Sequence, residues 1–148
     1  MDASPGTSAL VLQSARRVSV TVGRLGAITL SPGTYVYVGS AFGPGGLAAR
    51  VGRHCRRRKP LRWHIDYVRE HMAPLRVACD TSGEKLEHRW AHCLAAQARE
   101  IPDFGSSDCA CPSHFFQCDG PPARNVFDAC SAEAPAWHAL PNANGDPQ

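Results

Sequence analysis

Residues Gly33 to His54 read GTYVYVGSAFGPGGLAARVGRH, and the rest of the chain is organised around them. The opening Tyr35-Val36-Tyr37-Val38 alternates with the period of a β-strand, which puts both tyrosines on one face and both valines on the other. Gly39-Ser40 ends the strand, and Phe42-Gly43-Pro44-Gly45-Gly46 is a loop. The pattern then predicts a helix from Leu47 to Arg58, stopped by Pro60. Arg50 and His54 lie four apart on that helix, so they share one face.

Upstream, MDASPG reads as a loose start and Ala9-Leu10-Val11-Leu12 as a buried strand. Val18, Val20 and Val22 alternate with Ser19 and Thr21 in a half-exposed strand, and Ala27 to Leu30 makes another after the turn at Gly23-Arg24-Leu25-Gly26. These strands lead into the tyrosine strand as an antiparallel meander. Downstream, Trp63 to His71 predicts a second helix, Leu75 to Cys79 a strand, and Glu84 to Arg99 a helix with Leu86, Trp90, Cys93 and Leu94 on its apolar stripe. The expected fold class is α+β, a small central antiparallel sheet flanked by helices. One domain is expected over residues 1–118. Residues 119–148 read as a Pro/Ala-rich, partly ordered tail anchored by Val126, Phe127, Trp137 and Leu140.

At 148 residues the chain is long enough for a packed core without staples. No apolar run approaches the ~20 residues that a bilayer requires, so no membrane partner is expected. Seven cysteines, an odd number and scattered apart from Cys109 and Cys111, suit a reducing, cytoplasmic setting better than a disulfide framework. The net charge is only +3, but Arg50, Arg53, Arg56, Arg57, Arg58, Lys59 and Arg62 fall in one acid-free segment. That leaves nine cations to face thirteen acids elsewhere. A cationic cluster of this kind is the footprint expected for nucleic acid, and it abuts the Arg50–His54 face.

Three motifs recur together: Tyr37-Val38-Gly39-Ser40 followed by Arg50 and His54, then Trp63-His64-Ile65-Asp66-Tyr67, then Phe104-Gly105-Ser106-Ser107-Asp108-Cys109-Ala110-Cys111. In this order they resemble the GIY-YIG nuclease superfamily, and more closely its compact single-domain Uri-type branch, over residues Gly6 to Phe116. The resemblance implies a divalent-metal-dependent endonuclease acting on DNA, single-stranded or structured. Such an enzyme uses magnesium or manganese and leaves 5′-phosphate and 3′-hydroxyl ends by one-step in-line attack of water. It also implies Arg50 as the phosphate-holding arginine and Glu87 as the metal-binding glutamate, with Glu84 its nearest competitor. Ser8 stands where the family carries the tyrosine of its first signature element.

The residue types suit that chemistry. An arginine fork matches phosphate oxygens, and one carboxylate with water and phosphate completes magnesium's coordination. A general base is available in Tyr37 or His54, with Tyr35 third. Arg53, Arg56, Arg57, Arg58, Lys59, Arg62, Trp63 and His64 are candidate nucleic-acid contacts. Trp63 and Tyr67 suit either stacking on an unpaired base or capping the core. Cys109, Cys111, His114 and Cys118 form a compact run of soft ligands, read either as a zinc site or as reduced thiols in a packed loop. Two other function classes compete with the enzyme: a nucleic-acid-binding module without catalysis, motivated by Ser8, and a zinc-stabilised interaction domain built on the cysteine run.

Overall fold

The computed structural model describes residues 1–56, 59–104 and 113–140. The strands are β1 (Gly6–Ser14), β2 (Val18–Val22), β3 (Gly26–Leu30), β4 (Gly33–Ala41), β5 (Ala73–Asp80), β6 (Arg99–Glu100), β7 (Phe115–Cys118) and β8 (Ala136–Ala139). The helices are α1 (Gly46–Cys55), α2 (His64–Arg69) and α3 (Glu87–Ala95). Six strands form an antiparallel sheet in the order β6-β7-β4-β1-β5-β8, so the fold is α+β with a central antiparallel sheet and helices on both faces.

The alternation of β1 and β4 assigns the two faces. Leu10, Leu12, Tyr35 and Tyr37 pack with Leu47 and Val51 of α1 and Ile65 and Val68 of α2. Ala9, Val11, Val36 and Val38 pack instead with Leu86, Trp90 and Leu94 around α3. Both strands are apolar on both faces because both are covered, which is why they hold the centre of the sheet.

The meander expected at the start is not formed. β2 and β3 pair with each other as a separate hairpin, while β1 pairs directly with β4 from Gly6 opposite Ala41 to Ser14 opposite Gly33. The reason is the one-sidedness of the hairpin. Val18, Val22 and Leu30 turn towards Ile65 and Val68, and the other side carries Ser19 and Thr29, whose exposed hydroxyls meet at 3.3 Å. Two-sided strands go to the middle and a one-sided hairpin becomes a flap over α2.

The segment after Cys118 is also more than a tail. β8 extends the sheet beside β5, and Phe127 stacks on Trp90 with ring centroids 4.3 Å apart. Val126, Phe127, Trp137 and Leu140 are its apolar contacts, as expected, but the first three belong to the core around α3 and Leu140 to the core on the α1 and α2 face. Ala136–Ala139 is short and lies between prolines, so it carries little strand signal of its own.

Helix α1 is held at both ends by distant chain. At its start, the Leu47 and Ala48 amides each donate to a carbonyl of the first residues, Ser4 and Asp2, at 2.9 Å. The opening MDASPG is therefore a cap on α1, not a loose start. Gly46 has φ +56°, and a Cβ there would lie 2.1 Å from the Ala3 carbonyl oxygen, so only glycine allows this approach. At its end, buried Arg69 donates to the carbonyls of His54 (2.6 Å), Cys55 (3.1 Å) and Met72 (2.9 Å). Lys59 donates to those of Arg53 (3.0 Å) and Arg56 (2.6 Å). Cations thus satisfy the orphan carbonyls at the negative end of the helix dipole.

Candidate active site

Arg50 enters from the second turn of α1 and lies against β4. Its guanidinium sits over the Trp63 ring, 4.1 Å from the centroid. A Cβ placed on Gly39 would stand 3.2 Å from its Nη2 and 3.4 Å from the Tyr37 ring, so the missing side chain of Gly39 is what makes room for the guanidinium. Ser8 lies opposite Gly39 on β1 and is buried.

Tyr37 is buried and hydrogen-bonded to Arg50. Burial pushes its phenol up from the usual value; Arg50 opposes that shift and the charge of Glu87 adds to it. His54 is 1% exposed, its ring edge-on to Tyr37 at 5.8 Å and to Trp63 at 6.2 Å. Neither of its nitrogens has a partner among the described residues. Burial first, and then the positive charge of Arg50, push its pKa down to about 3, so the ring is neutral at pH 7. The Arg50 Nε is likewise buried without a partner among the described residues. Among the described residues the Arg53 Nε, Asp66 Oδ1 and Arg76 Nε are buried and open as well, so it is the grouping of the Arg50 and His54 atoms beside Tyr37 that singles out this spot.

Glu87 is the first residue of α3, where a carboxylate meets the positive end of the helix dipole. The start of α3 is fixed by the Leu86 amide, which donates to the Thr7 hydroxyl of β1 at 3.1 Å. The Glu87 carboxylate is partly exposed and faces His114 Nδ1 at 3.6 Å, with His88 5.7 Å from the His114 ring. Burial, then His88, push His114 down to about 4. The Glu87–His114 approach is therefore a carboxylate beside a neutral imidazole, too long for a hydrogen bond. His114 is tied to the Tyr37 strand by its own carbonyl, which accepts from the Val38 amide at 2.9 Å. Glu84, by contrast, pairs with Arg89 at 3.3 Å on the exposed side of α3.

The structure thus brings Tyr37, Arg50 and His54 together, with Glu87 near enough for its charge to act on Tyr37. Tyr35 does not join them. It is buried, stacks on Phe115 at 5.2 Å, and spends its hydroxyl on the Ser31 carbonyl at 2.6 Å.

Several expected nucleic-acid contacts are committed internally. Arg53 donates from Nη2 to the Asp66 carboxylate at 2.7 Å and to the Pro60 carbonyl at 2.6 Å, and lies 4.8 Å from the Trp63 centroid. Lys59 is spent on the α1 carbonyls, and burial lowers its pKa to about 8. The Trp63 ring carries both guanidiniums and packs against the core, in keeping with the capping alternative of its two readings. His64 packs edge-on to Phe104 at 5.4 Å. Arg56 and Arg62 remain exposed, and Arg57 and Arg58 lie outside the described residues.

Asp66, whose role the sequence did not reveal, explains the Trp-His-Ile-Asp-Tyr motif. It is fully buried and accepts the amides of Arg62 (2.9 Å) and Trp63 (3.0 Å) in addition to Arg53. Burial alone would raise its pKa, but those amides and the guanidinium hold the carboxyl below the usual range. Asp66 starts α2, fixes Arg53, and through Trp63 supports Arg50. An acid at the third position of a short helix was the one available signal.

Glu87 suits a hard divalent cation: one accessible carboxylate, with substrate oxygens and water left to complete the shell. Among the described residues no group of three or more His, Cys, Asp and Glu side chains stands close enough to hold an ion by itself. Of the soft-ligand run, Cys109 and Cys111 lie outside the described residues. His114 lies just before β7 and Cys118 at its end. Cys118, like Cys55, Cys79, Cys93 and Cys130, is a free thiol.

Fold and site together define an α+β domain whose central antiparallel sheet carries a half-buried arginine against a buried tyrosine and histidine, beside a helix-borne carboxylate. The family model described as a domain of unknown function, DUF123, matches residues 7–134, and the chain belongs to that family. No curated protein and no solved structure matches the chain. Among the described residues no helix is long and apolar enough to cross a membrane.

Proposed function

We propose that this protein is a divalent-metal-dependent endonuclease of the GIY-YIG type that hydrolyses phosphodiester bonds in DNA in the cytoplasm. The observation that carries the reading is the Arg50 guanidinium seated in the space left by Gly39, beside Tyr37 and the His54 ring, whose nitrogens have no partner among the described residues. Arg50 is aligned by Trp63 and its Nε has no partner among the described residues, which suits it to grip a nonbridging oxygen and stabilise the charge of the transition state. Glu87 would hold the magnesium or manganese ion, which when bound supplies Lewis-acid stabilisation of the leaving oxygen.

Tyr37 and His54 divide the work on water according to their protonation. Burial keeps the phenol protonated, so Tyr37 accepts from the Arg50 guanidinium and keeps its own proton for the reacting groups. His54 is neutral and keeps a lone pair free to accept from water. A pKa of about 3 makes it a weak base in the empty site, but a phosphate diester beside Arg50 offsets one of the charges that depress it.

The test is a magnesium-dependent cleavage assay on labelled single-stranded, duplex and branched oligonucleotides, with Arg50→Ala and Glu87→Ala alongside wild type. Loss of cutting in both variants, with unchanged melting, supports the reading. Ser8 at the position opposite Gly39 favours a second reading, a binding module without catalysis. Salt-sensitive binding with no cutting under any divalent ion would select it.

A further inference from the structure

Two residues along β4 from Tyr37, the ladder lines up a row that the catalytic reading does not use. Tyr35 is opposite Gln117 on β7, and Gln117 is opposite Arg99 on β6. Directly opposed residues of a sheet share a face, so Tyr35, Gln117 and Arg99 lie side by side on the face that carries Tyr37. This row borders an open cavity of about 300 Å³, closed on its other side by Arg17 and Ser31. Its floor is fixed: the Tyr35 hydroxyl donates to the Ser31 carbonyl at 2.6 Å, and the Gln117 amide donates to the Ser31 hydroxyl at 2.9 Å. Arg17 and Arg99 are exposed, and neither forms an ion pair among the described residues. Glu100 also lines the cavity, so its charged lining is cationic by one.

We infer that this cavity receives a phosphate of the nucleic-acid strand that is cut at Arg50, a few nucleotides from the scissile bond. Two arginines from separate elements line the cavity above a polar floor, and guanidiniums suit a phosphate diester. The cavity is open, as a continuing chain requires, and its row begins at Tyr35, two residues or about 7 Å along the strand from Tyr37, and runs two strands or about 10 Å across the sheet to Arg99. Phe104 and Phe115 pack between Tyr35 and Tyr37 and are buried, so the joining chain passes outside the residues that cover those rings. A second phosphate site remote from the cationic α1 segment means that the substrate continues past the cut, as an internal site does and a terminal nucleotide does not. The inference rests on the nuclease reading.

The experiment is a salt titration of binding, by fluorescence anisotropy without divalent ion, of a labelled single-stranded 12-mer. Wild type is compared with Arg17→Ala/Arg99→Ala and with Arg56→Ala/Arg62→Ala, and cleavage is measured in parallel with magnesium. One phosphate contact contributes about 0.7 to the slope of log K against log salt for a single strand. Arg17→Ala/Arg99→Ala should lower the slope by about that amount while melting stays at the wild-type temperature, and Arg17→Lys/Arg99→Lys should restore it. An unchanged slope in a variant of a protein that binds and cuts overturns the inference and leaves the nuclease reading intact. An unchanged slope accompanied by a rise in melting temperature on adding inorganic phosphate, absent in the double variant, also overturns it, because the cavity then holds a free anion. No salt-dependent binding and no cutting by wild type overturns both.

Discussion

Lowering the pH from 8 to 5 should cost this protein stability through His54. The ring is buried, both nitrogens lack partners among the described residues, and its pKa falls from 6.5 to about 3. A histidine depressed in the folded state contributes its full stability above the unfolded pKa of 6.5, and that contribution is lost as pH falls towards about 3. At pH 5 the unfolded chain holds most of one proton at this residue and the folded chain almost none. Linkage then sets the loss at about 2 kcal/mol relative to pH 8, a large share of the stability of a domain this size. His114, pushed down to about 4, acts in the same direction over nearly the same window. The assay is urea unfolding followed by Trp fluorescence at pH 8, 7, 6 and 5, in wild type and His54→Leu. The wild-type midpoint should fall by about 1 M or more, and His54→Leu should show a shallower fall, the difference between the two curves being the His54 share. Equal pH dependence in the two proteins would refute the argument, since it would mean that the ring is protonated alike in both states.

Three further predictions probe the supports of the site. Arg53→Ala leaves Asp66 buried without its guanidinium and should cost about 3 kcal/mol by urea unfolding, whereas Arg56→Ala, on the surface, should change stability by less than about 0.5 kcal/mol. Gly46→Ala puts a Cβ against the Ala3 carbonyl at a positive φ and should lower stability by about 2 kcal/mol or more, read as a drop in melting temperature. Gly39→Ala meets only the tip of Arg50 and the Tyr37 ring, so stability should stay within about 1 kcal/mol while cleavage falls at least tenfold as the guanidinium is displaced.

What the sequence made legible was local. The alternation at Tyr35–Val38 assigned the two faces of β4, and the four-residue spacing of Arg50 and His54 placed both side chains over Tyr37. What it hid depended on contacts between distant parts of the chain. Arg53 resembles its neighbours in a cationic run, and only the fold shows that Asp66, thirteen residues on, takes its charge. Arg69 gives no local sign that it closes the end of α1, and the opening residues give none that they close its start. Strand order was hidden for a similar reason. A hairpin with one apolar side and a central strand with two differ clearly only once their neighbours are known, so β2 and β3 read as part of a meander. β8 is four residues long and draws its stability from the edge of β5 that it covers.

The central claim is that Arg50 and Glu87 make this a metal-dependent nuclease. Its most direct test is the cleavage of labelled oligonucleotides by wild type, Arg50→Ala and Glu87→Ala, with magnesium and with EDTA. The account predicts cutting by wild type with magnesium alone, and at least a hundredfold loss in each variant with folding unchanged. Undiminished cutting by Glu87→Ala, or none by wild type on any substrate, would contradict it.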